Sequence, residues 1–327
     1  MRRRDFIRAG VGLAAPWPLV ARAQPAPAPI IGFLSTRSPE DSKYLVAAFR
    51  KGLASAGFVE GQNVTVEYRW AYGQYDRLPA QAAELVRKPV TMLVALGGEP
   101  STLAAKSATS KLPILFGVAG DPVKLGLVES FNRPGGNATG MSILTTLLEP
   151  KRLGLLHEVV PQAATIGLLL DSSFPLAQKQ QRDAQDAARD LGLDSAILPV
   201  TRDSDIEAAF QTIDKNKIKA LLVTASPFFD TRRDRIIALA ARQAVPAMYQ
   251  FREYPAAGGL MSYGIDLAAV YRQIGVYAAR VLKGEKPGEL PIIQPTKFEL
   301  VINMRTAKTL GLGIPSGVLS IADDVIE

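Results

Sequence analysis

The 327-residue sequence has no cysteine, one histidine (His157) and two tryptophans. Without cysteine there is no disulfide, no thiolate nucleophile and no lipid-modified cysteine to anchor the chain. A single histidine excludes a catalytic triad or zinc site that draws on several. The G-x-G-x-x-G and P-loop spacings are also missing, which leaves nucleotide binding without support. Near the N-terminus the uncharged run from Ala9 to Ala21 has thirteen residues and contains Pro16 and Pro18. A membrane-spanning helix needs roughly 20 apolar residues, and an interior proline costs it about 3 kcal/mol.

What stands at the N-terminus instead has the order of an export signal. Arg2, Arg3, Arg4 and Arg8 precede the short apolar run, and small residues in "ARA" follow it, so a signal over residues 1–23, cut after Ala23, is expected. Twin arginines followed by Phe6 and Ile7 give it a twin-arginine-like character. The mature chain is then expected to be a soluble periplasmic protein and not a lipoprotein, with "PAPAP" as an extended spacer. Removing residues 1–23 leaves 33 basic against 30 acidic residues, so the charge falls from +7 to +3. Nothing in that balance calls for nucleic acid. The remaining 304 residues exceed one ordinary domain and favour two lobes.

The patterning after the spacer alternates strand and helix. "IIGFLST" (Ile30 to Thr36) suits a buried parallel strand. Ser38 and Pro39 then offer a helix start, and Leu45, Ala48, Phe49, Gly52 and Leu53 form one apolar stripe that Gly57 closes. "VTVEYRWA", a helix from Asp76 to Arg87, "VTMLVALGG", a helix from Pro100 and "LPILFGVAGDPV" continue the series. After "RPGGNATGMS" it restarts with a helix near Lys151, "TIGLLLD", a helix from Leu176 to Leu191, "DSAILPV", "KALLVTASPFF" and "VPAMYQF". Two runs of such units predict an α/β protein of two lobes with parallel sheets and helices on both faces. A long helix closed by Lys283-Gly284, then one strand, a short helix and an exit loop, must complete those two lobes.

In parallel α/β sheets ligands sit beyond the carboxyl ends of strands, where helix N-termini offer free N–H groups. Those ends carry Ser35 and Thr36, Gly97 and Gly98, Ala119 to Asp121, Asp171 to Ser173, Ser226 to Phe229, and Tyr249. Small, hydroxyl-bearing and aromatic groups of this kind hold a small molecule without supplying a nucleophile and base. Each also has a plain structural reading. Ser35 and Thr36 can cap the next helix, Gly97-Gly98 can be a tight turn, and Asp121 before Pro122 can be an N-cap. Asn137 can serve a turn, Phe228 and Phe229 can be core, Tyr263 before Gly264 marks the return crossing, and His157 reads as a surface residue. Asp121 and Asp171 fall in different lobes, and no G-x-S-x-G accompanies them.

"VEGQNVTVEYRWAYGQYDRLPAQAAELV", "GDPVKLGLVESFNRPGGNATG", "AAGGLMSYG" and "LPIIQPTKFELVINMRTAKTLGLGIP" together resemble the ABC-transporter substrate-binding proteins of the tryptophan/tyrosine-binding type. The resemblance runs from Ile30 to Glu327. It implies a type I periplasmic-binding-protein fold: two Rossmann-like lobes joined by three crossovers near Gly140 to Ile143, Leu260 to Tyr263 and Ile293 to Lys297. The lobes would be residues 24–141 with 263–295 and residues 142–262 with 296–327. It implies no enzyme activity, cofactor or metal, and a monomer that captures an amino acid or aromatic acid-like solute for an inner-membrane ABC permease and its ATPase. The same fold also serves as a periplasmic ligand-sensing module for a signalling partner. Carried over by position, the cleft residues are Ser35, Thr36, Gly98, Asp121, Asn137, Ser172, Ser226, Phe228 and Tyr263. In that reading a ligand carboxylate meets Ser35 and Thr36, Asp121 holds an ammonium, and Phe228 or Tyr263 flanks a ring. The chain departs from the pattern at "ALGGEPS", where some relatives have a Thr- or Ser-containing turn, and no arginine stands out at a strand end as a carboxylate clamp.

Overall fold

The computed structural model describes residues 28–327. The expected export signal, its cut after Ala23 and most of the Pro-Ala spacer lie outside the described residues.

The first sheet is built from β1 (Ile30–Ser35), β2 (Thr65–Trp70), β3 (Met92–Leu96), β4 (Ile114–Val118) and β5 (Ala138–Ser142), all parallel and ordered β2-β1-β3-β4-β5. α1 (Lys43–Ala54), α2 (Leu78–Arg87) and α3 (Glu99–Ala108) connect them. "MLVAL" and "ILFGV" are buried along their whole length, as strands covered by helices on both faces must be. The second unit begins with α4 (Glu149–Val159), β6 (Thr165–Asp171), α5 (Ala177–Asp190), β7 (Asp194–Val200), α6 (Asp203–Lys215) and β8 (Ala220–Val223). It continues through α7 (Pro227–Asp230), α8 (Arg233–Arg242), β9 (Ala247–Tyr249), α9 (Glu253–Ala256) and β10 (Met261–Gly264). Then follow α10 (Leu267–Leu282), β11 (Glu299–Asn303), α11 (Met304–Thr309), α12 (Ser316–Ser320) and β12 (Asp324–Ile326). The second sheet runs β12-β11-β10-β9-β8-β6-β7. It is parallel except where β11 meets β10 antiparallel, because β11 enters from the other lobe.

α10 returns to the first lobe and lies against α1. The two backbones meet at paired glycines: a Cβ on Gly52 would stand 2.0 Å from the Arg272 carbonyl oxygen, and one on Gly275 2.2 Å from that of Phe49. No side chain fits there, so the close approach depends on glycine. Asp266 fixes the start of this helix by accepting from the N–H groups of Ala268 (2.8 Å) and Ala269 (3.2 Å).

The chain crosses between sheets three times. The first crossing follows β5 through a 3-10 turn at Thr145–Leu148, and the third follows Ile293, which still pairs with Met141. The second falls at Ile265–Asp266, later than the expected Leu260 to Tyr263, because "MSYG" is a strand of the second sheet paired with β9 and β11. A lobe boundary at 262/263 would cut β10 in half. Two further expectations shift. α1 begins at Lys43 instead of Pro39, since Ser38 Oγ closes a turn by accepting from Asp41 N–H and donating to its carboxylate. The expected exit loop contains α12 and β12, the latter pairing with β11; three residues, "DVI", are too few to show alternation. Among the described residues no helix is long and apolar enough to cross a membrane.

Candidate functional site

The carboxyl ends of the two sheets face each other across a cleft, and the loops that leave them meet. After β1, Ser35 Oγ accepts from Arg37 N–H (3.1 Å), while Thr36 Oγ1 donates to the Gly97 carbonyl (2.5 Å) and so ties the β1 loop to the β3 loop. Gly97 and Gly98 both have φ of +91°, a conformation that favours glycine. Gly98 then precedes α3 and faces Pro227 of the other lobe, whose Cγ would stand 3.0 Å from an added Cβ. The same β1 loop sends Arg37 across the cleft to the carboxylate of Asp230 at the end of α7, both side chains being buried. Asp230 is held within its own lobe by Gln250 Nε2 (2.6 Å) and the Tyr254 hydroxyl (3.3 Å). Burial works against the charge on Arg37, but Asp230 prevails and keeps the guanidinium protonated, its pKa above the ordinary value.

A second cross-cleft cluster surrounds Tyr75, which belongs to a 3-10 turn after β2. Its hydroxyl donates to Asp171 Oδ2 (2.8 Å) at the end of β6 and accepts from Phe228 N–H (3.3 Å). Ser226 Oγ donates to the same carboxylate oxygen (2.5 Å) and caps α7 by accepting from Phe228 N–H (3.1 Å). Burial, then the Asp171 charge, holds the Tyr75 hydroxyl well above the ordinary phenol range, so it serves as a neutral donor. A third bridge runs from Arg232, whose Nη1 donates to the Tyr72 carbonyl (3.1 Å).

Between these bridges lies a cavity lined by residues of both lobes. Its walls are mainly apolar: Leu96, Ala119, Ile143, Phe174, Phe251 and Leu267. Its polar lining comes from Arg37, Glu99, Thr145, Ser226, Asp230 and Tyr271. Burial pushes the Tyr271 hydroxyl up to about 12, so it is neutral. Glu99, the first residue of α3, is fully buried. Its Oε1 accepts from Gly120 N–H (2.8 Å), and its Oε2 has no protein partner. Burial pushes this carboxyl up to about 7. No group of three or more His, Asp or Glu side chains is placed to hold a metal among the described residues.

Of the nine residues expected at the cleft, Gly98 and Ser226 line the cavity. Ser35 and Thr36 stand behind it and shape the loops that present Arg37 and Gly97. The remaining five lie elsewhere. Asp121 caps a turn by accepting from Val123 N–H (2.9 Å). Asn137 sits at the opposite end of the sheet, where β5 begins instead of ends; it accepts from Lys106 Nζ (2.8 Å) and donates to the Leu112 carbonyl (2.8 Å). Ser172 is exposed on the rim beyond β6. Phe228 turns away from the cavity and carries the Arg232 guanidinium 4.0 Å above its ring. The Tyr263 ring packs on Phe298, and its carbonyl accepts from Arg152 Nε (2.7 Å). No arginine stands out at a strand end in the sequence, yet Arg37 stands two residues beyond β1 inside "STRSPED", where it reads as part of a helix start. Glu99 and Asp230 were missed for the same reason, each lying in what looks like a turn or a cap.

Comparison with known proteins agrees with this geometry. A model of the family described as ABC transporter substrate binding protein matches residues 37–326. A curated tyrosine-binding protein of Clostridioides difficile is 26% identical over 81% of this chain and 75% of its own length. Among solved structures, an ABC domain of Streptococcus pneumoniae in complex with L-Trp superposes with a TM-score of 0.82 at 25% identity, covering 91% of this chain and all of that one. A conserved domain protein of Vibrio cholerae superposes with a TM-score of 0.83 at 26% identity, covering 92% and 100%. Both share the two-lobed fold described above.

Proposed function

The chain belongs to the ABC transporter substrate binding protein family, and from that premise we propose that it is the extracytoplasmic receptor of an importer. It captures an amino acid or aromatic acid-like solute between its lobes and delivers it to an inner-membrane permease driven by a separate ATPase. The family is one of solute-binding proteins and not of enzymes. The single observation that carries the reading is the cavity itself: it lies between the strand ends of both sheets and is lined from both lobes. A ligand held there touches both lobes at once, so it binds the closed arrangement better than the open one and shifts the population toward it. Phe174 and Phe251 give the cavity aromatic walls, and the relatives named above are described with tyrosine and tryptophan. Arg37 is the carboxylate partner. Its guanidinium makes one protein hydrogen bond among the described residues, to Asp230, and its other N–H groups are free for a ligand. The N-terminal signal pattern supports a periplasmic location.

The test is isothermal titration of the mature protein, residues 24–327, against the twenty amino acids and a set of aromatic acids. Saturable binding of at least one member is expected, and silence across the whole panel overturns the proposal.

A further inference from the structure

We infer that Glu99 is the residue that selects the ligand class: it receives a protonated amine, so the cavity takes amino acids and rejects the same molecules without their amine. The inference rests on the solute-receptor reading and narrows it from amino acid or aromatic acid to amino acid.

The argument starts from one oxygen. Glu99 lines the cavity and is fully buried, with Oε1 taken by Gly120 N–H and Oε2 without a partner. A buried carboxylate oxygen without a donor is costly and seldom persists without a reason. The charged and titratable groups that share the cavity do not supply one. Arg37, from the β1 loop, is engaged with Asp230 from α7, and these two charges cancel. Tyr271, from α10, is neutral. Asp171 and Tyr75 lie beyond Ser226 and bond to each other. An ionised Glu99 therefore has no cation of the protein beside its free oxygen, and a ligand ammonium supplies one. The same cavity offers Arg37 N–H groups for a carboxylate, which makes the pair of sites fit a zwitterion. Neither Asp121 nor Asp171 is free to take the amine, since each is occupied by its own turn or by Ser226 and Tyr75.

The carboxyl's position near 7 fixes the sign of the pH dependence. A group titrating there is ionised about ten times more fully at pH 8 than at pH 6. Since the amine binds the ionised form, affinity rises with pH across this range, and below pH 7 binding expels a proton to solvent.

Calorimetry with six compounds tests this: L-tyrosine and L-tryptophan, their deaminated propanoates, and tyramine and tryptamine. The expected result is binding of the amino acids about tenfold tighter at pH 8 than at pH 6, with a heat that depends on the buffer's ionisation enthalpy at pH 6, and at least tenfold weaker binding of the propanoates. Glu99→Gln keeps an oxygen for Gly120 N–H, and it should lose about tenfold in amino-acid affinity together with the pH slope. Equal binding of amino acid and propanoate, or an affinity that rises as pH falls, overturns the inference while the receptor reading stands. The opposite slope would mean that a protonated Glu99 donates to a ligand acceptor. Binding of tyramine or tryptamine alone upholds the role of Glu99 and overturns the amino-acid reading. Silence from all six overturns the inference, and the receptor reading falls with it only if the full panel of amino acids and aromatic acids is silent as well. The buffer-dependent heat is measured on the natural protein, so the outcome does not depend on the variant folding.

Discussion

Two buried arginine–carboxylate pairs, Arg152–Glu149 and Arg37–Asp230, are built from the same chemistry and embedded in different ways. Arg152 and Glu149 are neighbours on α4, both fully buried. Arg152 donates to the Tyr263 carbonyl (2.7 Å), the Thr145 carbonyl (3.1 Å) and Glu149 Oε2 (3.2 Å). Glu149 Oε1 in turn accepts from Gln180 Nε2 (2.9 Å) and Ala225 N–H (3.1 Å). This network ties the first crossing, the end of β10, α5 and the end of β8 into one body. Arg37 and Asp230 stand 193 positions apart, in different lobes. A pair inside one body is present whenever the protein is folded, so its value appears in stability. Under the proposed closing mechanism, a pair across the cleft forms only when the lobes close, so its value appears in ligand affinity.

The sharpest way to break this comparison is Glu149→Ala. The substitution strands Arg152 as a buried, uncompensated cation, and such a loss costs about 3–5 kcal/mol. Urea unfolding of the purified protein should show it in full, with or without ligand. A change below about 1 kcal/mol would mean that the network is not a structural hub, and the contrast drawn above would fail.

Glu99 extends the comparison to a buried carboxylate with no basic partner. Its folded pKa, pushed up to about 7, lies above the ordinary carboxylate value of about 4.3. The sign follows directly. The folded state holds the proton more tightly, so stability is fully present below about pH 4 and is lost as pH rises through 7. Glu99→Gln removes that loss. Measured by urea unfolding without added ligand, the variant should be more stable than the natural protein by on the order of 3 kcal/mol at pH 8, and equal to it at pH 4. A site residue that lowers stability while serving the ligand is an ordinary trade-off; a destabilised variant at pH 8 would refute it.

Arg37→Ala sharpens the other half. Asp230 keeps Gln250 and Tyr254 as partners, and in an open cleft it regains water. Stability should therefore change by less than about 1 kcal/mol, while amino-acid affinity falls about tenfold or more because a closing contact and a carboxylate partner are lost together. Urea unfolding and calorimetry on the same preparation decide it.

How far the sequence carried these conclusions depends on the length of the pattern involved. Runs such as "TIGLLLD" and the helix from Leu176 to Leu191 are long enough for periodicity to show, and the structure places them within a residue of expectation. "MSYG" and "DVI" are too short, so the second crossing shifted and β12 went unseen. At the site, the rule that ligands gather at strand ends found Gly98 and Ser226. Asn137 came from the resemblance alone, and it stands where β5 begins, at the opposite end of the sheet. Arg37, Glu99 and Asp230 escaped because each sits within a helix-start pattern, where an arginine or a carboxylate has an adequate local reason to be. Their partners lie 193 residues away for Arg37 and 21 residues away, at Gly120, for Glu99, and only the folded chain brings those contacts into view.

Tyr75→Phe is the smallest expected effect and the finest probe of the cleft. The hydroxyl crosses from the first lobe to Asp171, but the second lobe does not rely on it. Ser226 still donates to Asp171 Oδ2, Ser173 N–H still reaches Oδ1 (3.0 Å), and Phe228 N–H still has Ser226 Oγ. Removing the hydroxyl thus strands no buried group and takes away one net hydrogen bond of about 1 kcal/mol. Amino-acid affinity should fall about fivefold, with unfolding free energy unchanged within a few tenths of a kcal/mol. Combined with Arg37→Ala, the two losses in binding free energy should add, since the residues share no partner and act on closure at separate points. Strong non-additivity would show that the two bridges form as one unit, and closure would then be a single latch instead of a set of independent contacts.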